Sequence, residues 1–279
     1  MELPALPLPQ AVDALIHWLQ HNLDPVFGPA KTLTVFLDDV IRGWIRLVPP
    51  WLLVAVVSVL LAWRRSFVAG AIVGAALLLI LNQGYWRAAI DTSSLAMVST
   101  AISLCLGVPL GMVMAESRLA RALATPVLDY MQSTPAFVYL IPSVLFLGVG
   151  TAPGVFATVM FALPPVARTL LLGLDLTPAS NIEAAQAFGA SRIQILFKVK
   201  LPAALPYLGA GINQSVMMAL SMVVVCSLIG ARGLGVDVIT ALSQMNLRLG
   251  IESGVSVVLL AIVFDHVFSP NQRGERGKR

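Results

Sequence analysis

The sequence predicts an all-α membrane protein that crosses the bilayer about seven times. Two observations carry that prediction. Of 279 residues, 58% are hydrophobic and only 11% charged, whereas soluble domains are about 25% charged. The apolar residues also collect in uncharged runs near the ~20 residues that a helix needs to cross a bilayer. The mean hydropathy of +0.86 agrees. Seven spans with short connections use most of the chain, so little is left for a soluble catalytic domain. The net charge of +4 would suit a nucleic acid, but membrane proteins carry such an excess on the loops of one face, and no nucleic-acid partner is expected.

Residues 1–44 are interrupted too often by His17, Asp24, Lys31, Asp38 and Asp39 to form a span. Two short amphipathic helices on the membrane surface, or a loosely ordered tail, both fit. The opening MELPALPLPQ lacks the basic start of a signal peptide, so no cleaved leader is expected. Residues 45–91 should hold two accessory helices. The first is Ile45–Trp63, ended by Arg64 and Arg65; the second is the short Ser66–Gln83, followed by the interfacial aromatics Tyr85 and Trp86. A third span covers Leu95–Ala115. Tyr130–Ala167 carries no charge and is too long for one helix, so the stretch Gly148–Gly154 should turn between spans four and five. Pro164 and Pro165 lie inside span five and should kink it, as a gate or as a static bend. Span six is expected at Pro206–Ile229 and span seven at Ile251–Phe268, with a basic tail over 269–279.

Lysines and arginines divide twelve to six between the two faces of this arrangement. The positive-inside rule then puts the N-terminus outside and the C-terminus in the cytoplasm, which an odd number of spans satisfies.

The largest loop on the basic face, 176–204, is the informative one. Ser180 and Glu183 have capping-box spacing and should open a helix, which Gly189 is placed to end. Ser191 and Gln194 repeat the spacing and open a second helix, which Pro202 should close. Ala184, Ala185 and Phe188 lie on or near one side of the first helix. Small residues with one aromatic suit insertion into a groove on a partner, or packing against the bilayer, and the residues alone leave both readings open.

The segment resembles the EAA motif of permease subunits from binding-protein-dependent ABC importers. That motif is Glu-Ala-Ala, three residues, Gly, nine residues, Ile-x-Leu-Pro. Here it is Glu183-Ala184-Ala185, Gly189 and Val199-Lys200-Leu201-Pro202, with Val199 in place of Ile. The stretches Met131–Pro142, Phe161–Gly173, Asn213–Val224 and Gly230–Gly235 look most like the glycine betaine, proline and choline permeases. The resemblance implies a five-helix type I permease core over 92–268. It also implies a docking element formed by Glu183, Ala184, Ala185, Phe188 and Gly189, with Leu201 and Pro202 returning the chain to the membrane. The partners implied are a second copy of the permease, a cytoplasmic ATPase dimer holding ATP and Mg²⁺, and a periplasmic or extracellular substrate-binding protein. No cofactor is implied on this chain. The implied location is the bacterial inner membrane, and the implied cargo is a quaternary ammonium or related compatible solute. A permease of this type for an amino acid or a sulfonate, and an ATP-independent channel or carrier, are the alternatives.

Other residues carry chemistry of their own. Asn213, Gln214 and Ser215 are consecutive polar residues inside span six, where they could line a path or pack helix against helix. Phe137 and Tyr139 could meet a cationic solute through their ring faces or serve packing. Cys105 and Cys226 sit in apolar runs and read as small hydrophobes. Asp265, His266 and Arg168 lie near span ends and read as interfacial. Three histidines without H-E-x-x-H spacing, and no phosphate-binding glycine loop, argue against an enzyme.

Overall fold

Each apolar run of the sequence is a helix in the computed structural model, which describes residues 8–269. The expected basic tail beyond Ser269 and the first seven residues lie outside the described residues. Twelve α-helices follow one another without a strand among the described residues. The first is α1 (Leu8–Leu47), a single helix of 40 residues where two short ones or a loose tail were expected. It continues through Pro25 and Pro29, so the charged interruptions do not end it.

Prolines set two sharp bends. Pro49 and Pro50 separate α1 from α2 (Pro50–Arg64), and the chain turns by 93° there. Thr134, ahead of Pro135, is held extended at φ −75°, ψ 128° because the following ring excludes the helical conformation. Helix α5 (Arg118–Ser133) therefore stops, and after one 3₁₀ turn α6 (Leu140–Leu147) leaves at 109° to it. The expected glycine turn follows: Gly148 at φ 79° ends α6 in a conformation that only glycine adopts freely. Helix α7 (Thr151–Asp175) then runs unbroken through Pro164 and Pro165.

Helix α3 (Phe67–Asn82) begins on Ser66, whose hydroxyl accepts the Ala69 amide. It has only 16 residues, about 24 Å at 1.5 Å per residue. That is short of a ~30 Å hydrocarbon core. Four stretches are long and apolar enough to cross a membrane: α4 (Trp86–Glu116), α7, the continuous run Arg192–Ile229 and α12 (Leu247–Phe268). Counting each bent pair as one span raises the number to six. By length, then, the seven expected spans become four to six, with α3 the one that falls short.

Helices α4, α7 and α10 (Leu201–Cys226) pack side by side as the centre of the molecule. Lipid offers no hydrophobic driving force between them, so close approach of backbones must hold them. A Cβ on Gly173 would lie 2.9 Å from those of Ala204 and Tyr207, and one on Gly107 would lie 3.0 Å from Val166. Leu95, Ala157, Ala162, Ala219 and Met222 fill the buried centre. Cys226 is buried here, whereas Cys105 is exposed, and both are free thiols. The pair α2–α3 packs onto α12 through Val73, Leu77 and Val263.

The second half of α1 is bound to this bundle. Phe27 stacks on Phe146 at 4.9 Å. The carboxylate of Asp38, a residue only 5% exposed, accepts the Ser94 hydroxyl at 2.7 Å. Ser94→Ala removes a charge-assisted bond from a buried carboxylate and should destabilise the α1–α4 contact by about 2 kcal/mol. A lower thermal midpoint in detergent, with α1 becoming more open to proteolysis, is the expected readout.

Candidate functional site

The loop between α7 and α10 is a clamped base carrying an exposed tip. At the base, Leu170 and Leu174 of α7 close over Leu196 and Ala204. Two ion pairs flank it: Lys200 Nζ lies 2.7 Å from Glu116 Oε1, and Arg121 lies 2.7 Å from Asp175 Oδ1. Both pairs tie the loop to the α4–α5 corner. No motif announces them, because their partners lie 84 and 54 residues apart in sequence.

The tip is α8 (Ala179–Ala187), which has no buried residue. Glu183 and Ala184 are exposed and Ala185 half-buried; Phe188, just past its end, is 92% exposed. An aromatic ring left this open is not packed into the fold among the described residues. Pro178, not Ser180, is the residue at the N-cap, and no side chain caps the helix. The capping box expected from Ser180 and Glu183 is therefore absent: the helix starts two residues earlier than that box requires, which puts Ser180 inside its first turn.

Gly189 ends the turn at φ +77°, and its amide donates to Gln186 O at 2.8 Å. The second expected capping box is present. Ser191 Oγ accepts the Gln194 amide and Gln194 Oε1 accepts the Ser191 amide, opening α9 (Arg192–Ile195). Ser191→Ala should cost about 1 kcal/mol. Faster amide exchange confined to residues 189–195 is the expected sign.

Pro202 does not close this second helix. Residues Leu196–Lys200 form a π turn in which the Leu201 amide reaches back five residues to Leu196 O. The wider turn accommodates the ring of Pro202, which supplies no donor, so α9 continues into α10. Leu201 and Pro202 thus lie within one helical path that rises directly from the loop.

The three polar residues of α10 point in three directions, as consecutive helical residues must at 100° apiece. Asn213 donates to Asp265 Oδ1 of α12 at 3.3 Å. Ser215 is fully buried and donates to Ala162 O of α7 at 2.8 Å. Gln214 is exposed, on a stripe with Tyr207, Ala210 and Ser221. Near the α5–α6 bend Phe137 is 59% exposed. Tyr139 is buried instead, its hydroxyl donating to Met131 O at 2.6 Å across the bend. Pro164 and Pro165 are buried in α7, where Thr169 donates to Pro165 O at 2.7 Å. Arg168 pairs with Asp129 of α5.

A small-residue contact that the sequence reading passed over is Gly107 with Gly111, a G-x-x-x-G pair on the α7-facing side of α4. Its spacing alone could have found it.

Fold and loop together define a transport protein's membrane component, and comparison with known proteins agrees. Residues 107–269 match the family model described as "Binding-protein-dependent transport system inner membrane component". The chain is 40% identical over 268 residues to the glycine betaine transport system permease protein OpuAB of Bacillus subtilis, covering 95% of this chain and 94% of that one. It is also 40% identical to the glycine betaine/proline betaine transport system permease protein ProW of Escherichia coli, covering 98% of this chain and 77% of that one. Among solved structures, the methionine ABC transporter MetNI in an inward-facing conformation superposes with a TM-score of 0.60, at 23% identity, over 65% of this chain and 91% of that chain. The last likeness shows the type I permease fold alone. The chain belongs to the family of binding-protein-dependent transport system inner membrane components. It is a multi-pass membrane permease subunit and not an enzyme. Membership implies two further chains, an ATPase and a substrate-binding protein.

Proposed function

We propose that this chain forms half of the translocation path of an ATP-driven importer for glycine betaine or a related quaternary ammonium solute such as choline or proline betaine. Its similarity to permeases of glycine betaine systems over nearly its whole length supports the solute class. It does not favour an amino acid, a sulfonate or an ATP-independent carrier. The observation that carries the mechanism is the loop, whose exposed α8 and bare Phe188 stand on a base fixed by two ion pairs. Glu183, Ala184, Ala185, Phe188 and Gly189 dock in a cleft of the ATPase, which holds the ATP and Mg²⁺. The continuous α9–α10 path, running through Leu201 and Pro202, carries the ATPase's closure into the membrane.

Two copies surround the path, each presenting the exposed α10 stripe with Gln214, and Phe137 from the α5–α6 bend. Asn213 and Ser215 serve by holding α10 on α12 and α7. Pro164 and Pro165 leave backbone acceptors unpaired in α7 and mark where it flexes. The loop face, with its twelve basic residues, lies in the cytoplasm with the C-terminus, and the N-terminus lies outside. This orientation takes α3 as a span, the bilayer thinning to meet it.

Reconstitution tests the proposal. Proteoliposomes holding the chain, its ATPase and the binding protein should accumulate radiolabelled glycine betaine only with ATP inside and binding protein outside. Uptake by vesicles lacking the ATPase would overturn the coupling, and saturation by an amino acid instead would overturn the solute class.

A further inference from the structure

One face of α10 is uncovered, and its spacing is regular. Ala210, Gln214, Met217, Ser221, Val224 and Leu228 follow one another in alternating steps of four and three residues. Ala210, Gln214, Ser221 and Leu228 are exposed; Met217 and Val224 are half-buried. At 100° per residue the six stay within an arc of about 80°. The neighbouring faces of the helix are taken, since Gly211 and Ser215 meet α7 and Asn213 meets α12. A seven-residue repeat with two seam positions is what one helix needs to run along another in a left-handed pair. A surface that merely faces lipid needs no such period.

The chemistry of the seam says what covers it. It belongs to the run Arg192–Ile229, long and apolar enough to cross the membrane, and no residue from Leu201 to Ile229 is charged. Gln214 lies near the middle of that run, and its amide has no hydrogen-bond partner among the described residues. Lipid tails offer none. A second copy of α10 does, because it brings the same amide to the same depth, and each amide can donate to the other's carbonyl oxygen. Beside the seam lies a cavity of about 70 Å³, between Met217, Ser221 and Val224 on one side and Thr92, Val257 and Ala261 on the other. It is a recess for a side chain of a facing helix.

We infer that the two copies of the chain meet along this seam in the absence of ATP, α10 parallel to α10, with the two Gln214 amides paired across the two-fold axis as the closure of the path. The inference rests on the two-copy reading above and names the contact that shuts it. A single polar residue in such a seam also sets its register, since sliding one helix along the other would leave both amides in hydrocarbon. The helical path from the loop through α9 into α10 is continuous, so a displacement of the loop tilts α10 and parts the seam. The same residues then become a wall of the open path.

The test uses the assembled transporter in proteoliposomes, with the native thiols removed by Cys105→Ser and Cys226→Ala. Met217→Cys, Ser221→Cys and Val224→Cys are oxidised one at a time without ATP, and Val258→Cys of α12, 59% exposed, is the control. Facing residues of the paired helices should fall within the Cα separation of about 4.4–6.8 Å that a disulfide spans. Each seam variant should give a covalent permease dimer and the control none. Uptake by oxidised Ser221→Cys should fall to background and return on reduction. Adding Gln214→Leu should slow that disulfide about sevenfold, the factor that two interhelical bonds of average strength carry. Gln214→Asn should recover most of the rate, and retention of the ATPase shows that both variants fold.

Seam cysteines that form no disulfide but react with a charged methanethiosulfonate as fast as Ser180→Cys in the loop would show water on this face. Cysteines that do neither would show lipid. Either result, with ATP-driven uptake still measurable, overturns the inference and leaves the transport reading standing. A disulfide rate unchanged by Gln214→Leu overturns the amide pair. A seam disulfide in a transporter that takes up no glycine betaine, oxidised or reduced, overturns the transport reading instead and leaves the contact.

Discussion

Gly189→Asp is expected to reduce uptake to background and to lose the ATPase on purification, while the chain still inserts and folds. The reasons for the two halves of that result are separate. A Cβ at this position would meet nothing within 4 Å, so no atom of the chain itself objects to a side chain. The backbone does object, because φ is +77° and a residue with a Cβ loses about 1–2 kcal/mol in the left-handed region. Asp and Asn tolerate that region better than most residues. The folded chain should therefore survive with a midpoint lowered by a few degrees, about 4 °C for a protein of this size. Docking should not survive, because the new carboxylate projects from the turn that presents Phe188. Gly189→Asn is the matched control, with similar backbone tolerance and no charge, and should keep measurable uptake. Normal transport by the Asp variant would remove the loop from the coupling path.

The Glu183–Pro202 segment was legible because its information is local. The glycine turn and the Ser191–Gln194 capping box each need only residues three or four apart, and both are found in the structure. The nearby Ser180–Glu183 spacing failed for an equally local reason, since Pro178 takes the N-cap first. Pro202 was misread because a proline's usual effect assumes an i−4 ladder, and the π turn before it has already left that register. Longer-range features were harder to read. The uncharged run from Tyr130 reports that its residues are apolar, not that Thr134 and Pro135 fold the chain back by 109° inside it. Asn213, Gln214 and Ser215 are adjacent in sequence, which left path lining and helix packing both open, and helical geometry sends them to α12, an open face and α7. The charges in α1 masked a helix whose buried side includes Asp38, satisfied by a serine 56 residues away.

Gly111→Leu should have the opposite signature to Gly189→Asp, losing fold and coupling together. A Cβ at Gly111 would lie 2.8 Å from Ala167 O and 3.3 Å from Leu170 Cβ. The nearer atom is a helix carbonyl, which cannot rotate away as a side-chain end could. Gly107, one turn earlier, meets Val166 at 3.0 Å, so the two glycines form one seam along which α4 and α7 touch. A leucine there forces the helices apart and opens the apolar contacts around it, at about 3 kcal/mol for overpacking against backbone. The displacement is also carried to the loop. Leu170 belongs both to this seam and to the cluster with Leu174, Leu196 and Ala204 that fixes the loop's base. Shifting α7 at Leu170 therefore moves the platform on which α8 stands. Gly111→Ala should show a partial version, with a smaller fall in midpoint and reduced retention of the ATPase. The measurements are the thermal midpoint in detergent and ATPase recovery, taken on the same preparations. If Gly111→Leu keeps both, α4 and α7 are not in contact at this seam; if it loses only stability, the loop's base is independent of α7's position.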